Sequence, residues 1–317
     1  MQQTGWIIGL LIAGIAMLFT AHPAQAQTEC PTSLAAGEHR IALRSSDYPR
    51  SYLVYIPELT DTAQPVPILI SLHGFASNAE QQRMWSGFNA LADEFGFIAV
   101  YPQGAGFVPR WNNGTSQFQP VDSQIDVIFF DDLLADLAGR ACFDESRVYV
   151  TGFSAGGGMA HRLACERAER VAGIGTVAAA ISELPEGCNP SRPVPLMHFH
   201  GAEDRIVPIG GEAPFLPDIG EWIEGWAERN ECRTDAESEL SAGLRLMRYE
   251  DCAGDAAVIY YAIAQGGHTW PGGNLDAPEA IVGATTALAL TRRGHRVTII
   301  DRSGGAESAA RGNAGAF

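Results

Sequence analysis

The segment Gly152-Phe153-Ser154-Ala155-Gly156 sets a serine between glycines, directly after the strand-like run Val148-Tyr149-Val150-Thr151 and directly before the small residues Gly157-Gly158-Met159-Ala160. In a strand, turn and helix setting the glycines permit a sharp bend and close packing, so the hydroxyl of Ser154 stands clear at the end of a strand as a nucleophile. Serine attacks only when a base removes its proton, and the base must be held by a carboxylate. Both partners follow in order. Leu196-Met197-His198-Phe199-His200-Gly201 reads as a strand, with Asp204 in the turn behind it and Glu203 as the competing acid. The run Val258–Ala264 ends in Gln265-Gly266-Gly267-His268-Thr269-Trp270-Pro271, a loop that offers His268. The reaction these three types perform is acyl transfer.

The tetrahedral intermediate of such a reaction carries an oxyanion, which needs two N–H donors at the same end of the sheet. Ala155, immediately after the serine, supplies one, and the loop Ser71-Leu72-His73-Gly74-Phe75-Ala76 supplies the other. We assign the second to Phe75, with Ala76 as the adjacent alternative. His73 reads as a brace for that loop. Trp111 and Trp270, with Phe75, are expected to bind substrate as the lining of an aromatic acyl pocket, with buried packing as the alternative for each of them. His198 and His200 alternate on one strand without a third ligand, and His161 and Cys165 lie one helical turn apart, so packing or a disulfide outweighs a metal site at both. Asn113-Gly114-Thr115 fits a glycosylation acceptor, a tripeptide frequent by chance.

The elements that must carry these residues alternate along the chain. Strands are expected near Tyr52–Ile56, Ile68–Leu72, Phe97–Tyr101, Val148–Phe153, Ala172–Val177, Pro195–Phe199 and Val258–Ala264, with helical spacing over Ala79–Phe95, Asp126–Gly139, Ala155–Arg170 and Asp218–Asn230. That alternation implies an α/β class with a mostly parallel central sheet and helices on both faces, and the strand-turn-helix serine followed in order by Asp204 and His268 points within it to the α/β-hydrolase fold. Residues 27–280 are assigned to this catalytic domain. Ahead of it, Met1–Ala26 has an apolar run and the small-x-small pattern Ala24-Gln25-Ala26, a signal peptide without a Lys or Arg before the run. The run is shorter than the ~20 residues a membrane span needs, so no stable membrane insertion is expected after cleavage. Six cysteines (Cys30, Cys142, Cys165, Cys188, Cys232 and Cys252) follow the cleavage site, as suits a secreted or periplasmic protein with disulfides. Many pairings are open, and Cys232 with Cys252 is the preferred one. All 21 basic residues are Arg, against 37 acids, giving a net charge of −16, which argues against a nucleic-acid partner.

From about Arg50 to Pro271 the chain resembles the polyhydroxybutyrate depolymerase and feruloyl esterase family of secreted α/β-hydrolases. The resemblance lies in Leu72-His73-Gly74, Trp111-Asn112, Asp126-Val127-Ile128-Phe129, the stretch Arg147 to Gly157, and Gly266 to Gly273. It implies a serine carboxylesterase acting without cofactor on polyester, feruloylated polysaccharide or related acyl esters, with Ser154, Asp204 and His268 as its triad. The alternative is a secreted polymer-binding protein with an impaired site. Residues 281–317 depart from the family and resemble the flavin-binding segment of D-amino-acid dehydrogenases. Gly283 and Asp301 match, but the first strand and first two glycines of the dinucleotide turn are absent. Without that turn no pyrophosphate cradle forms, so no flavin or nicotinamide is expected, and the segment reads as a fusion-like tail.

Overall fold

The computed structural model describes residues 33–58, 64–114, 124–184, 186–212, 216–241 and 243–271. The proposed signal peptide, Cys30 and the 281–317 tail lie outside the described residues.

Largely apolar runs form the middle of a ten-stranded sheet, ordered β1-β2-β4-β3-β5-β6-β7-β10-β9-β8. Its central strands are β3 (Val66–Leu72), β4 (Ile98–Pro102), β5 (Phe143–Phe153), β6 (Gly173–Val177), β7 (Leu196–Gly201) and β10 (Val258–Ile263). They pair in parallel from β4 through to β10. β6 and β7 are buried at every position, because helices cover both faces of the sheet. The flanks are antiparallel: β1 (Gly37–Ser45) and β2 (Tyr48–Ile56) on one side, β8 (Thr234–Ser241) and β9 (Leu244–Glu250) on the other.

The helices divide into two layers. On one face α3 (Ile125–Ala138), α4 (Ala155–Glu166) and α5 (Ile219–Arg229) bury Phe129, Leu133, Met159, Leu163, Ile223 and Trp226. On the other, α1 (Ala79–Ser86) and α2 (Phe88–Phe95) bury Ala79, Phe88 and Ala92 beside Trp270. Complete burial of side chains of this size stabilises the fold by roughly 1.5–3 kcal/mol each. The single helix expected over Ala79–Phe95 is interrupted at Gly87, whose φ of 65° ends α1 and lets Phe88 turn into the core.

Two disulfides fasten the periphery. Cys165–Cys188 ties the end of α4 to the loop that follows β6, and Cys232–Cys252 joins the segment after α5 to the segment after β9. Cys142 is oxidised as well, and no described cysteine is a free thiol. Among the described residues no helix is long and apolar enough to cross a membrane.

Candidate active site

β5 runs into α4 through a single residue, Ser154, with φ 53° and ψ −118°. A non-glycine residue there carries a strain on the order of 1–3 kcal/mol, which its surroundings must hold. They do so through three backbone hydrogen bonds: Ser154 N–H donates to Val177 O (2.9 Å), and Ser154 O accepts from Gly158 N–H and Ala180 N–H (3.0 Å each). The flanking glycines are required by close approach. A Cβ on Gly152 would lie 2.2 Å from Gly156 O, and one on Gly156 would lie 2.3 Å from Leu72 O. Ala155 begins α4, so its N–H has no acceptor within the helix.

The acid and the base arrive from neighbouring strands. β7 ends at Gly201, where a Cβ would meet Gly266 O at 2.2 Å, so the turn after β7 and the loop after β10 lie backbone to backbone. Glu203 N–H donates to Gly266 O at 2.9 Å, which locks the two together while the Glu203 side chain stays exposed. The neighbouring Asp204 is buried instead. Its Oδ1 accepts from the N–H groups of Ile206 and Val207 (2.9 Å each), and its Oδ2 accepts from His268 Nδ1–H at 2.8 Å. Burial works to raise the Asp204 pKa, but the hydrogen bonds from His268 and the two amides outweigh it and hold the carboxyl below its ordinary value. The His268 ring packs against Phe153, the residue before Ser154, with ring centres 4.9 Å apart.

The loop after β3 lies against the same point. A Cβ on Gly74 would sit 3.5 Å from Ser154 Cβ, so glycine allows the backbone of this loop to approach the serine. Ala76 N–H is committed to Pro109 O at 2.9 Å. His73 is fully buried beneath the loop: its Nδ1–H donates to Gly74 O at 2.7 Å and its Nε2 accepts from Gly104 N–H at 2.9 Å. Those partners require a neutral ring, and burial lowers its pKa to about 4.

The expected substrate contacts Trp111 and Trp270 are buried, only 3% and 4% exposed. Trp111 Nε1–H donates to His73 O at 2.8 Å, so the indole props the loop after β3 from below, and Trp270 packs edge-on to Phe88. The apolar side chains open to solvent on the surrounding loops are Phe75, Phe107, Val108 and Ile206. Asn113 is 7% exposed and its amide donates to Ala180 O, a position closed to a glycan. His161, Cys165 and Cys188 form a compact group, but the sulfurs are joined to each other rather than available as thiolates.

Residue reasoning missed the support beneath the site. Arg50 and Asp126 make a buried ion pair at 2.7 Å, Asp126 Oδ2 also accepts from Asn112 N–H, and Arg162 donates to Asn112 O and Oδ1. This network anchors the segment that carries Trp111. Its signal was a charged residue on each of two apolar helices, Asp126 on α3 and Arg162 on α4.

Fold and sequence relationships define the class: this chain is a carboxylesterase of α/β-hydrolase architecture. A family description for "Esterase PHB depolymerase" matches residues 50–183. The putative esterase NocK of Nocardia uniformis subsp. tsuyamanensis is 31% identical over 69% of this chain and 70% of its own length. Feruloyl esterase B of Piromyces equi is 28% identical over 69% of this chain, which spans 42% of that larger protein. The acetyl xylan esterase from Aspergillus awamori shares the fold with a TM-score of 0.54 at 15% identity, over 74% of this chain and 95% of that one. The chain belongs to the polyhydroxybutyrate depolymerase and feruloyl esterase family.

Proposed function

We propose that this esterase is an exported serine hydrolase that works through an acyl-enzyme, with Ser154 as nucleophile, His268 as base and Asp204 as the acid that orients it. The observation that carries the proposal is the 2.8 Å hydrogen bond from His268 Nδ1–H to a buried carboxylate, in a ring that packs on Phe153, the residue before a serine with φ 53°. With its Nδ1 proton committed to Asp204, neutral His268 has a lone pair on Nε2 to accept the Ser154 proton. Ser154 Oγ attacks the ester carbonyl, and the N–H groups of Ala155 and Phe75 receive the oxyanion. Collapse expels the alcohol, which takes the proton from His268. Water then attacks the acyl-serine, gives a proton to His268, and releases the acid as Ser154 recovers its own.

The substrate reading is an ester of polyester or feruloylated polysaccharide type, supported by the feruloyl esterases among the relatives and by the exposed Phe75, Phe107 and Ile206. Export is supported by the oxidised cysteines. Wild type is expected to hydrolyse a short nitrophenyl ester, and Ser154→Ala to lose that activity while its circular dichroism stays unchanged. An active Ser154→Ala protein would sink the proposal. Parallel assays on a feruloyl ester and a hydroxybutyrate oligomer identify the acyl group.

A further inference from the structure

Two histidines beside the acid have no part in the mechanism above. His198 and His200 are both fully enclosed, at 0% and 1% exposure. They lie in a continuous line: Thr176 Oγ1 is 2.7 Å from His198 Nδ1, His198 Nε2 is 3.0 Å from His200 Nδ1, and His200 Nε2 is 2.8 Å from Val207 O. The far end sets the direction. A carbonyl oxygen can only accept, so His200 must carry its proton on Nε2. A neutral His200 then presents a lone pair at Nδ1, which obliges His198 to donate from Nε2 and to accept at Nδ1. Thr176, whose hydroxyl rotates freely, supplies that last proton from β6, where it stands opposite His198 in the strand register. The opposite polarity would aim a lone pair of His200 at the Val207 carbonyl and at Asp204 Oδ2, 3.6 Å away.

We propose that Thr176, His198 and His200 are positioning residues that form a one-way hydrogen-bond chain ending on the turn that holds Asp204. Val207 is the junction: His200 binds its carbonyl, while its N–H binds Asp204 Oδ1. Holding Val207 through both its carbonyl and its N–H fixes the carboxylate, and His200 Nε2–H adds a positive dipole near the oxygen that receives His268. Both rings are suited to remain neutral. Burial, and the charge each would impose on the other, push His198 well below its ordinary pKa, and burial lowers His200 too. His198 is packed by Tyr260 from β10 and Trp222 from α5, and the titratable groups that act on His200 are His198, Asp204 and His268.

This inference rests on Asp204 serving as the orienting acid, and its test separates the two. In protein labelled with ¹⁵N-histidine, His198 and His200 are both expected as neutral Nε2–H tautomers from about pH 5 to 8, in wild type and in Ser154→Ala alike. A proton on Nδ1 of either ring, or titration of either in that range, overturns the chain whatever the enzyme turns over. Thr176→Val is expected to lower kcat roughly tenfold, the worth of one buried hydrogen bond, and to move the proton resonance of the His268–Asp204 bond. Thr176→Ser, which keeps the hydroxyl, restores both. His200→Gln, which keeps an N–H near the Nε2 position, is expected to retain more activity than His200→Leu. Equal loss in Val and Ser, or in Gln and Leu, overturns the positioning role. Full activity of Asp204→Asn would instead remove the triad reading and leave the tautomers standing.

Discussion

Replacing Asp204 by Asn changes one atom, and the surroundings dictate how the amide must sit. Oδ1 receives two backbone N–H groups, from Ile206 and Val207, so the amide oxygen takes that position; the reverse orientation would face an NH₂ against two donors. The NH₂ is therefore placed where Oδ2 meets His268 Nδ1 at 2.8 Å. Two donors cannot share that contact, so His268 moves its proton to Nε2 and offers a lone pair to the amide. The nitrogen that should accept the Ser154 proton is then a donor itself. Loss of the base through the wrong tautomer corresponds to about 10⁴-fold in kcat, or about 5 kcal/mol of transition-state stabilisation. Binding of the ester is untouched, so KM stays near wild type. Stability near neutral pH changes little, because both amide contacts to Oδ1 survive. The assay is steady-state hydrolysis of a nitrophenyl ester, with urea unfolding as the control. A variant within tenfold of wild-type kcat would refute the orienting role of Asp204.

Other outcomes follow from the same structure. Asp126→Ala leaves the Arg50 guanidinium buried without its partner and Asn112 N–H without its acceptor, and is expected to cost about 3–5 kcal/mol in urea unfolding. Gly156→Ala drives a methyl into the Leu72 and His73 carbonyls and is expected to displace the oxyanion loop, lowering both activity and Tm. His73 and His161 are lowered by burial to about 4 and about 3, so each is neutral when folded but takes up a proton when unfolded below its ordinary 6.5. Unfolding free energy therefore falls as pH drops from about 6.5 towards 4, by up to about 3 kcal/mol for each ring, and His161→Phe flattens that slope. Replacing Cys232 and Cys252 together by Ser opens a loop with a sequence separation of 20, expected to lower stability by about 3 kcal/mol in a thermal melt under oxidising conditions.

The central sheet was legible because parallel strands covered on both faces read as mostly apolar, β-branched runs, as Ile68–Leu72 and Val148–Phe153 do. Of the flanking strands, β2 was legible at Tyr52–Ile56, whereas β1, β8 and β9 were not. β1 alternates half-buried and exposed residues around Arg40 and Arg44, and β8 is Thr-Asp-Ala-Glu-Ser-Glu-Leu-Ser, a composition that reads as loop until a neighbour supplies its hydrogen bonds. Asp204 could be preferred over Glu203 from order alone, and the reason is visible only in space: successive side chains in the turn point oppositely, one towards His268 and one to solvent. Trp111 shows the limit in the other direction. An aromatic residue in a loop near an active site suggests contact with substrate, and nothing in its spacing reveals that its indole N–H is bound to His73 O. The chain from Thr176 to Val207 was equally hidden, since it joins β6, β7 and a turn through bonds between residues up to 22 apart.

The proposed nucleophile, acid and base stand on three strands, β5, β7 and β10, that enter the sheet in that order along the chain, and the last contact made spans 64 residues. None of the three can meet another within a local element, and a fragment ending before β10 lacks both His268 and the Gly266 carbonyl that holds the turn of Asp204. The proposed reactive centre is therefore complete only when β10 and the loop behind it are in place. Ester-cleaving activity would report completion of the fold, not merely its beginning.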